Sequence, residues 1–329
     1  MTSLATTPYT SPFVLSLLLL ISIPVVFLLA PRLLPPKTLP AIPDVDESDD
    51  LALFRRAILS SSSATPAPPT SAASYFFRRR PAPKIAFLFL TNSDLVFSPL
   101  WEKFFRGHKN LFNLYVHADP YSVLELPPTP SFRGRFVPAK ATQRASPTLI
   151  SAARRLLATA LLDDPNNQFF SLLSQSCIPL HPFPTLYNAL LSETAGPHSR
   201  HRSFIEIMDN MDNDTTLLHD RYYARGDDVM LPEVPYDQFR AGSQFFVLTR
   251  RHAIMVDPEG CTKYTLTRVN WTDSVAGHPH MYEPGEVSAS LIRELRKSNN
   301  THSYMFARKF SPGCLEPLME IADSVILRD

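Results

Sequence analysis

Glycine is scarce in this chain and proline is abundant, with 9 and 32 residues respectively among 329. Neither a G-x-G-x-x-G pattern nor a P-loop occurs in the sequence. Those glycine-rich turns hold phosphate in dinucleotide-binding and nucleotide-hydrolysing folds, so neither class of site is expected. Proline stands at roughly twice its average frequency of about 5%.

A charge imbalance is also lacking. The formal net charge is +1, and no long basic stripe runs through the chain. A nucleic-acid partner is therefore not expected, because such proteins carry a basic footprint for the phosphate backbone. Hydrophobic residues make up 44% and charged residues 19%, which is typical of globular proteins, and the length allows one large domain or two small ones.

Cysteines are few, and none lies in a C-x-x-C pair. A zinc ribbon or a thioredoxin-type motif is therefore not expected. The three residues Cys177, Cys261 and Cys314 allow one disulfide and one free thiol. The sequence leaves open which two would pair.

One long apolar run lies near the N-terminus. Residues 13–30 contain no charged side chain and are interrupted only by Ser16, Ser22 and Pro24. About 20 apolar residues span a bilayer core, so we predict one transmembrane signal-anchor here, after a short tail at 1–12. A cleaved signal peptide is the alternative. It is disfavoured because no Lys or Arg precedes the run and a proline follows it directly.

The orientation of this predicted span is left open by two conflicting signals. Arg32 and Lys37 follow the run, and the positive-inside rule would place that side in the cytosol. Three glycosylation sequons, at Asn213, Asn270 and Asn299, are typical instead of a lumenal domain.

The predicted span is followed by a proline-rich segment. Residues 31–83 contain ten prolines and a run of four serines. Such a composition buries little surface and stays extended, so we predict a stalk, with one or two helical turns over the apolar piece Leu51 to Leu59. Residues 84–329 form the predicted globular domain.

Continuous apolar runs alternate with helical segments in the globular domain. The runs at 84–91, 114–119 and 168–173 are typical of strands buried on both faces of a parallel sheet. Helices are predicted around Pro99 to Arg106 and from Ser146-Pro147 onward, where Ser is a capping residue. This alternation predicts βαβ units with right-handed crossovers, hence an α/β fold.

The second of these helices has a predicted apolar face. That face consists of Ile150, Ala153, Leu156, Leu157, Ala160 and Leu161. A further helix is predicted around Thr185 to Ser192, and a further strand from Gly242 to Thr249.

Polar side chains follow the predicted parallel strands at the point where each strand ends. They are Thr91 and Asn92, His117 and Asp119, and the stretch Ser174 to Ser176. Open α/β sheets bind their ligands beyond the carboxyl ends of the strands. These residues are therefore better site candidates than polar residues elsewhere.

Asp212 and Asp214 form a D-x-D pattern, in which two carboxylates can share one hard cation. The pattern is short, and Asp44 and Asp46 in the predicted stalk match it equally. We therefore favour a solvated acidic turn that carries a glycan at Asn213.

Other chemistries have weaker support. His278 and His280 lack a third or fourth ligand at usable spacing, so a structural or substrate-contacting histidine is preferred over a metal site. A Ser-His-Asp hydrolase would need a G-x-S-x-G motif, which is absent. Lys309, beside Arg308, could neutralise a phosphate or could be a solvated surface charge.

Seven segments taken in order resemble one family. They are KIAFLFLT at 84–91, YVHADP at 115–120, RRLLATALLD at 154–163, FFSLLSQSCIPLHPF at 169–183, GSQFFVLTRRHA at 242–253, DPEGCTKYTLTRVNW at 257–271 and SYMFARKFSPGC at 303–314. Together they resemble the core-2/I-branching β-1,6-N-acetylglucosaminyltransferases, in their plant-type branch. The resemblance covers about residues 84–329.

The resemblance implies a single-pass type II Golgi membrane glycoprotein with a GT-A-like, Rossmann-type nucleotide-sugar sheet and flanking helices in the lumen. It implies inverting transfer of N-acetylglucosamine from UDP-GlcNAc, or of another sugar from a related UDP-sugar, to a glycan or glycoprotein acceptor. No metal cofactor is expected, because basic side chains near the C-terminus of the family's proteins replace the cation on the diphosphate. It also favours the lumenal orientation.

The resemblance assigns five residues to expected roles. His117 and Asp119 match the strand-end motif near the nucleotide, and Lys309 matches the lysine that binds the diphosphate. Trp271 and Arg221 match residues on the acceptor side. In the family an arginine accompanies this lysine, but its counterpart cannot be placed in this sequence.

The family's catalytic glutamate has no counterpart in the sequence. Val256 runs directly into the block that begins at Asp257, so an internal deletion is expected near 256/257, and Glu259 belongs to the downstream block. Three hypotheses remain open. The chain is an active transferase with Glu206 or Asp209 as the base, or a catalytically impaired protein that keeps nucleotide-sugar or partner binding, or the product of a splice form or imperfect gene model.

Overall fold

A computed structural model describes residues 16, 20–22, 47–63, 81–124, 129–144, 146–191, 202–207, 215–223, 226, 228–254, 261–272 and 279–329. The chain divides into two units, Met1–Val45 and Asp46–Asp329. The described residues of the first unit are helical. Most of the predicted span at 13–30 lies outside the described residues, so the span stays a prediction. Within the described part of the chain, no helix is both long and apolar enough to cross a membrane.

Three parallel strands form the centre of the second unit. β1 (Lys84–Thr91) pairs in parallel with β2 (Phe112–Ala118) on one side and with β3 (Asn167–Ser174) on the other. All but the first residue of β1 are buried. The prediction of continuous buried strands in a parallel arrangement is confirmed.

The side chains of β1 alternate between two separate cores, as the twofold period of a strand requires. Phe87 and Phe89 pack in the larger core, which also contains α2 (Ser98–Phe105) and α4 (Phe183–Leu191). Ala86 and Leu88 pack in a second core against α3 (Thr148–Asp163). The sheet is therefore covered by helices on both faces, and the helices predicted near 99–106 and 185–192 are confirmed.

The sheet continues beyond β3 in the order β2-β1-β3-β6-β5-β7. The added strands are β5 (Ser203–Phe204), β6 (Val247–Thr249) and β7 (Cys261–Thr262). β6 runs antiparallel to β3 and to β5, and β7 runs parallel to β5. The result is a mixed α/β fold with a parallel-rich central sheet, consistent with a GT-A-like fold.

The strand predicted from Gly242 to Thr249 is shorter than expected, because only its last three residues form β6. Its first residues pass instead beside Glu206, whose carboxylate accepts a hydrogen bond of 2.7 Å from the Ser243 amide. A Cβ atom at Gly242 would lie only 2.0 Å from the Glu206 carbonyl oxygen. Glycine is therefore required for this close approach of two backbone segments.

A second, three-stranded sheet has the order β4-β9-β8. Its strands are β4 (Ile178–Pro179), β8 (Thr267–Val269) and β9 (Phe306–Arg308). β9 runs antiparallel to β4 and parallel to β8. This sheet brings the C-terminal part of the chain to the loop that leaves β3.

The apolar face predicted for α3 is partly wrong. Leu156, Leu157 and Leu161 are buried as expected, but Ile150 in the first turn is 58% exposed. Periodicity fixes the direction of a side chain around the helix axis, but not whether a neighbouring element reaches that turn. The helix begins one residue later than expected, with Pro147 at the N-cap position, but the Ser146 hydroxyl accepts a hydrogen bond of 3.3 Å from the Thr148 amide, as a capping side chain does.

The segment predicted as a stalk contains a longer helix than expected. α1 (Glu47–Ser63) belongs to the second unit, and Ala57 is fully buried against α3. The remaining helices are α5 (Thr215–Tyr223), α6 (Arg250–Ile254), α7 (Ala289–Arg296) and α8 (Leu315–Glu320). All three cysteines lie in the described part of the chain, and each carries a free thiol.

Candidate functional site

The polar ends of β1, β2 and β3 lie together at one edge of the sheet, as expected for neighbouring parallel strands. The Asp119 amide donates to the Thr91 carbonyl oxygen at 3.0 Å, which joins the ends of β1 and β2. Gln175 donates from Nε2 to Asn92 Oδ1 at 2.9 Å, which joins the ends of β3 and β1. The ends of the three strands are therefore linked to one another by hydrogen bonds.

Asp119 organises the loop that follows β2. Its carboxylate accepts hydrogen bonds from the Tyr121 amide at 2.9 Å and from the Thr142 amide and hydroxyl at 2.7 and 2.8 Å. Burial alone would raise the pKa of Asp119, but these hydrogen bonds outweigh it and hold the pKa below its ordinary value. The ionised carboxylate thus joins two distant points, Tyr121 and Thr142, of the connection between β2 and α3.

His117, two residues before Asp119, is fully buried. Its Nε2 accepts a hydrogen bond of 3.3 Å from the Lys140 amide, so the neutral ring carries its proton on Nδ1. Burial lowers the pKa of His117, and the charge of Arg155 lowers it further. Nδ1 is buried and has no hydrogen-bond partner among the described residues.

A cluster of cations lies beside this edge. Burial lowers the pKa of Lys309, and the positive charges of Arg308 and Arg144 lower it further. Burial also lowers the pKa of Arg308, and the positive charge of Arg144 lowers that pKa further. We call these three side chains the basic cluster. Because like charges raise one another's energy, the cluster is predisposed to accept an anion.

Two links join the basic cluster to the strand edge. Phe310, directly after Lys309, donates from its amide to the Ser176 carbonyl oxygen at 3.3 Å, in the loop that leaves β3. Arg144 lies two residues after Thr142, which binds Asp119. The guanidinium of Arg308 lies 4.4 Å from the ring centre of Phe245, a cation–π contact that fixes its position.

A second group of predicted residues lies around α5 and the end of β8. The guanidinium of Arg221 is 5.7 Å from the ring centre of Trp271. Arg221 also acts electrostatically on Glu206, a carboxyl group whose pKa is raised by burial and lowered in part by the Ser243 amide and Arg221. The structure thus brings together the two predicted acceptor-side residues and one of the two carboxylates considered as a base.

The family profile described as "Branch: Core-2/I-Branching enzyme" matches residues 85–258, which is more than half of the chain. The chain belongs to the Core-2/I-branching enzyme family. A plant relative, "Glycosyltransferase BC10" of Oryza sativa subsp. japonica, is 35% identical over 177 residues, which cover 53% of this chain and 40% of the relative. The matched part therefore spans less than half of the relative's length.

The matched range contains the strand edge but not all of the predicted site. His117, Asp119 and Arg221 lie inside it, whereas Trp271 and Lys309 lie beyond its end. Their expected roles rest on the resemblance of the later segments and on the contacts described above. The matched range ends at residue 258. This is two residues after Val256, the point at which the family's glutamate segment is expected to begin.

Other candidates lie outside the described residues. They are Asp209, Asp212, Asn213, Asp214, Glu259 and His278, together with the junction at 256/257. Within the part that the structure describes, no group of three or more His, Cys, Asp or Glu side chains could hold a metal ion. His280 lies 2.9 Å from Glu286 through Nε2 and Oε1, and its role stays a prediction.

The two described sequons differ in their surroundings. Asn299 follows α7 and is exposed. Asn270 is half-buried beside Trp271, and its Oδ1 accepts a hydrogen bond of 3.0 Å from the Thr272 amide. Glycosylation at both sites remains a prediction.

Arg144 and Arg308 are the cationic residues that the sequence did not assign. Arg308 could have been suspected from its place beside Lys309, but Arg144 lies in a loop that carries no motif. Only the fold brings that loop to the C-terminal segment.

Proposed function

We propose that this chain is a glycosyltransferase that moves a sugar, N-acetylglucosamine or a related residue, from a UDP-sugar to a glycan acceptor. The observation that carries the proposal is the basic cluster at the carboxyl edge of the parallel strands. A nucleoside diphosphate is an anion that such a group of cations can bind, and the edge of an α/β sheet is where such ligands bind.

The donor half of the proposed site needs no cation from solution. Lys309, Arg308 and Arg144 supply positive charge directly at the expected position of the diphosphate. An anion bound there would relieve the repulsion among them and raise the pKa of Lys309 toward its ordinary value. Asp119 would order the connection that borders the nucleoside, and the fully buried His117 would support that connection through the Lys140 amide.

The acceptor half would consist of Trp271, Arg221 and Glu206. In an inverting transfer the acceptor hydroxyl oxygen forms a bond to the anomeric carbon while the bond from that carbon to UDP breaks. The hydroxyl proton then passes to a carboxylate. A Glu206 with a raised pKa is a stronger base than an ordinary glutamate, so it is the carboxylate of the described site that fits this role.

A second candidate function is nucleotide-sugar or partner binding without turnover. It is favoured by one observation, that the chain runs from Ile254 through Val256 into Asp257 without the family's glutamate segment. Loss of a general base reduces the rate by about 10² to 10⁴-fold, so such a chain would bind donor and react very slowly. Sequencing the transcript across this junction tests whether the shortened form is a splice product or a gene-model error.

We further propose that the domain is lumenal and anchored in the Golgi membrane as a single-pass type II protein. The apolar run at 13–30 and the sequons support this topology. Glycosidase-sensitive mass is expected on the protein in cells. An unglycosylated chain whose domain is digested by protease in intact microsomes would contradict it.

The donor site is tested by the substitution Lys309→Ala. The affinity for UDP, measured by calorimetry, should fall by about 10- to 150-fold, which corresponds to one charge-assisted contact of about 1.5–3 kcal/mol. Lys297→Ala is the matched control, because Lys297 is exposed and paired with Glu294. An unchanged affinity for UDP in the Lys309 variant would remove the basic cluster from the donor site.

A further inference from the structure

The helix α1 buries one acidic side chain against the α/β domain. Asp50 is only 5% exposed. Its Oδ1 accepts a hydrogen bond from Arg155, and its Oδ2 lies 3.7 Å from Lys140 Nζ. A carboxylate buried this deeply requires charged partners. Both partners come from outside α1: one from α3 and one from the loop between β2 and α3.

Both partners of Asp50 hold the same short segment, residues 138–142. Arg155 donates from Nη1 to the Pro138 carbonyl oxygen at 3.4 Å, and Lys140 is itself part of the segment. Asp50 thereby fixes the segment at two points. One is a side chain within the segment, and the other is a backbone oxygen reached through Arg155.

The opposite side of segment 138–142 holds the two strand-end residues. The Lys140 amide donates to His117 Nε2 at 3.3 Å. The Thr142 amide and hydroxyl both donate to Asp119 Oδ2, at 2.7 and 2.8 Å. The segment therefore lies between Asp50 and the strand end, with hydrogen bonds or ion pairs on each side.

We propose that Asp50 is a positioning residue for the nucleotide site, acting through segment 138–142 on His117 and Asp119. This inference rests on the proposed function, because it takes the strand end to be the donor site. It makes α1 a part of the support of that site rather than a spacer in the stalk. Without the carboxylate, Lys140 and Arg155 would lose the anion that draws both of them to α1, and the segment would lose that attachment.

Apolar contacts hold α1 in place independently of Asp50. Ala57 is fully buried, and Leu53 and Phe54 pack against the same core as Leu156 of α3. A change at Asp50 should therefore loosen segment 138–142 without releasing the helix. A local effect on segment 138–142 would therefore indicate that Asp50 positions the segment, whereas release of the helix would indicate that Asp50 is needed for folding.

The test compares three variants of the full-length chain. Asp50→Asn keeps the size of the side chain and removes its charge, whereas Asp50→Glu keeps the charge. Asp49→Asn is the matched control, since Asp49 is exposed one residue earlier on the same helix. For each protein, the affinity for UDP is measured by calorimetry and the exchange of backbone amides by mass spectrometry.

We expect Asp50→Asn to weaken UDP binding by roughly 3- to 30-fold, the usual range for a residue that acts through a contact network. Amide exchange should rise in the peptide that covers 138–142 and stay unchanged in β1. Asp50→Glu should recover most of the affinity, and Asp49→Asn should match the unmodified chain.

Three results would overturn the inference. Equal UDP affinity in Asp50→Asn and the unmodified chain would show that Asp50 does not act on the site. Faster exchange throughout the sheet, with no local effect in 138–142, would assign Asp50 to general stability. An unmodified chain that does not bind UDP would refute the proposed function itself, and the inference with it.

Discussion

The substitution Glu206→Gln tests the least expected part of the proposed site. The amide keeps the shape of the carboxylate and can still accept the hydrogen bond from Ser243, which is 2.7 Å long. It cannot take a proton from the acceptor hydroxyl. The change therefore removes the proposed base while leaving the contact with Gly242 and the backbone in place.

The expected loss follows from the role of a general base, which contributes about 10² to 10⁴-fold. The turnover number of Glu206→Gln should fall by that factor, equivalent to about 2.7–5.5 kcal/mol in the barrier, while KM for the UDP-sugar stays unchanged. Burial raises the pKa of Glu206 above its ordinary value of 4.5. In the unmodified chain, kcat/KM should therefore decline as pH falls through that raised pKa, because only the ionised form accepts the proton.

Glu294→Gln is the control for this experiment, because Glu294 is an exposed helical carboxylate paired with Lys297. Its kinetic constants should equal those of the unmodified chain. A loss of less than about tenfold in Glu206→Gln would refute Glu206 as the base, since general-base removal is more severe. An increase confined to KM for the acceptor would assign Glu206 to acceptor binding instead.

Three further predictions concern stability and modification. Gly242→Ala places a Cβ 2.0 Å from the Glu206 carbonyl oxygen, so denaturant unfolding should show a loss of about 1–3 kcal/mol or more; an unchanged midpoint would contradict the close approach. His117 and His302 have pKa values that burial lowers below 6.5. Below about pH 6.5 the unfolded chain binds protons at these histidines that the folded chain does not, so each histidine should lower the free energy of unfolding by up to about 1.4 kcal/mol per pH unit. The substitution His302→Gln should make the free energy of unfolding less dependent on pH in this range. An unchanged pH dependence would refute the contribution of His302. Asn299→Gln should remove one glycan, seen as a loss of glycosidase-sensitive mass from eukaryotic cells; equal mass would exclude that sequon.

The central sheet could be predicted because its sequence signal is local. The run from Lys84 to Thr91 is continuously apolar, and a strand buried on both faces is the structure that such a run favours. Phe87 and Ala86 face different cores, as the strand period requires. The polar ends of the three strands could be placed together for the same reason, since neighbouring parallel strands end at one edge.

Packing at element ends could not be read from the sequence. Ile150 follows the helical period of Leu157 but is 58% exposed, although Leu149 beside it packs against the core. The extent of α1 was also underestimated, because the composition of residues 31–83 suggested an extended segment. Its stability comes from contacts with α3, which are tertiary and leave no local pattern.

The candidate site was predicted in part. The resemblance assigned Lys309, whereas the position of Arg144 beside it depends on a loop with no motif. Glu206 was considered only as a possible base, and its burial beside Arg221 and Ser243 emerged from the fold. Groups that are distant in the sequence and carry no spacing signal require the structure to bring them together.

Transfer of a sugar, rather than binding of the donor alone, is the activity that we propose for this chain. The most direct measurement incubates the purified full-length chain with UDP-GlcNAc and a panel of glycan acceptors, and follows both the glycosylated product and released UDP. Acceptor-dependent release of UDP is expected, with matching formation of product. Binding of UDP by calorimetry without any product on any acceptor would contradict this proposal and would support the non-catalytic alternative.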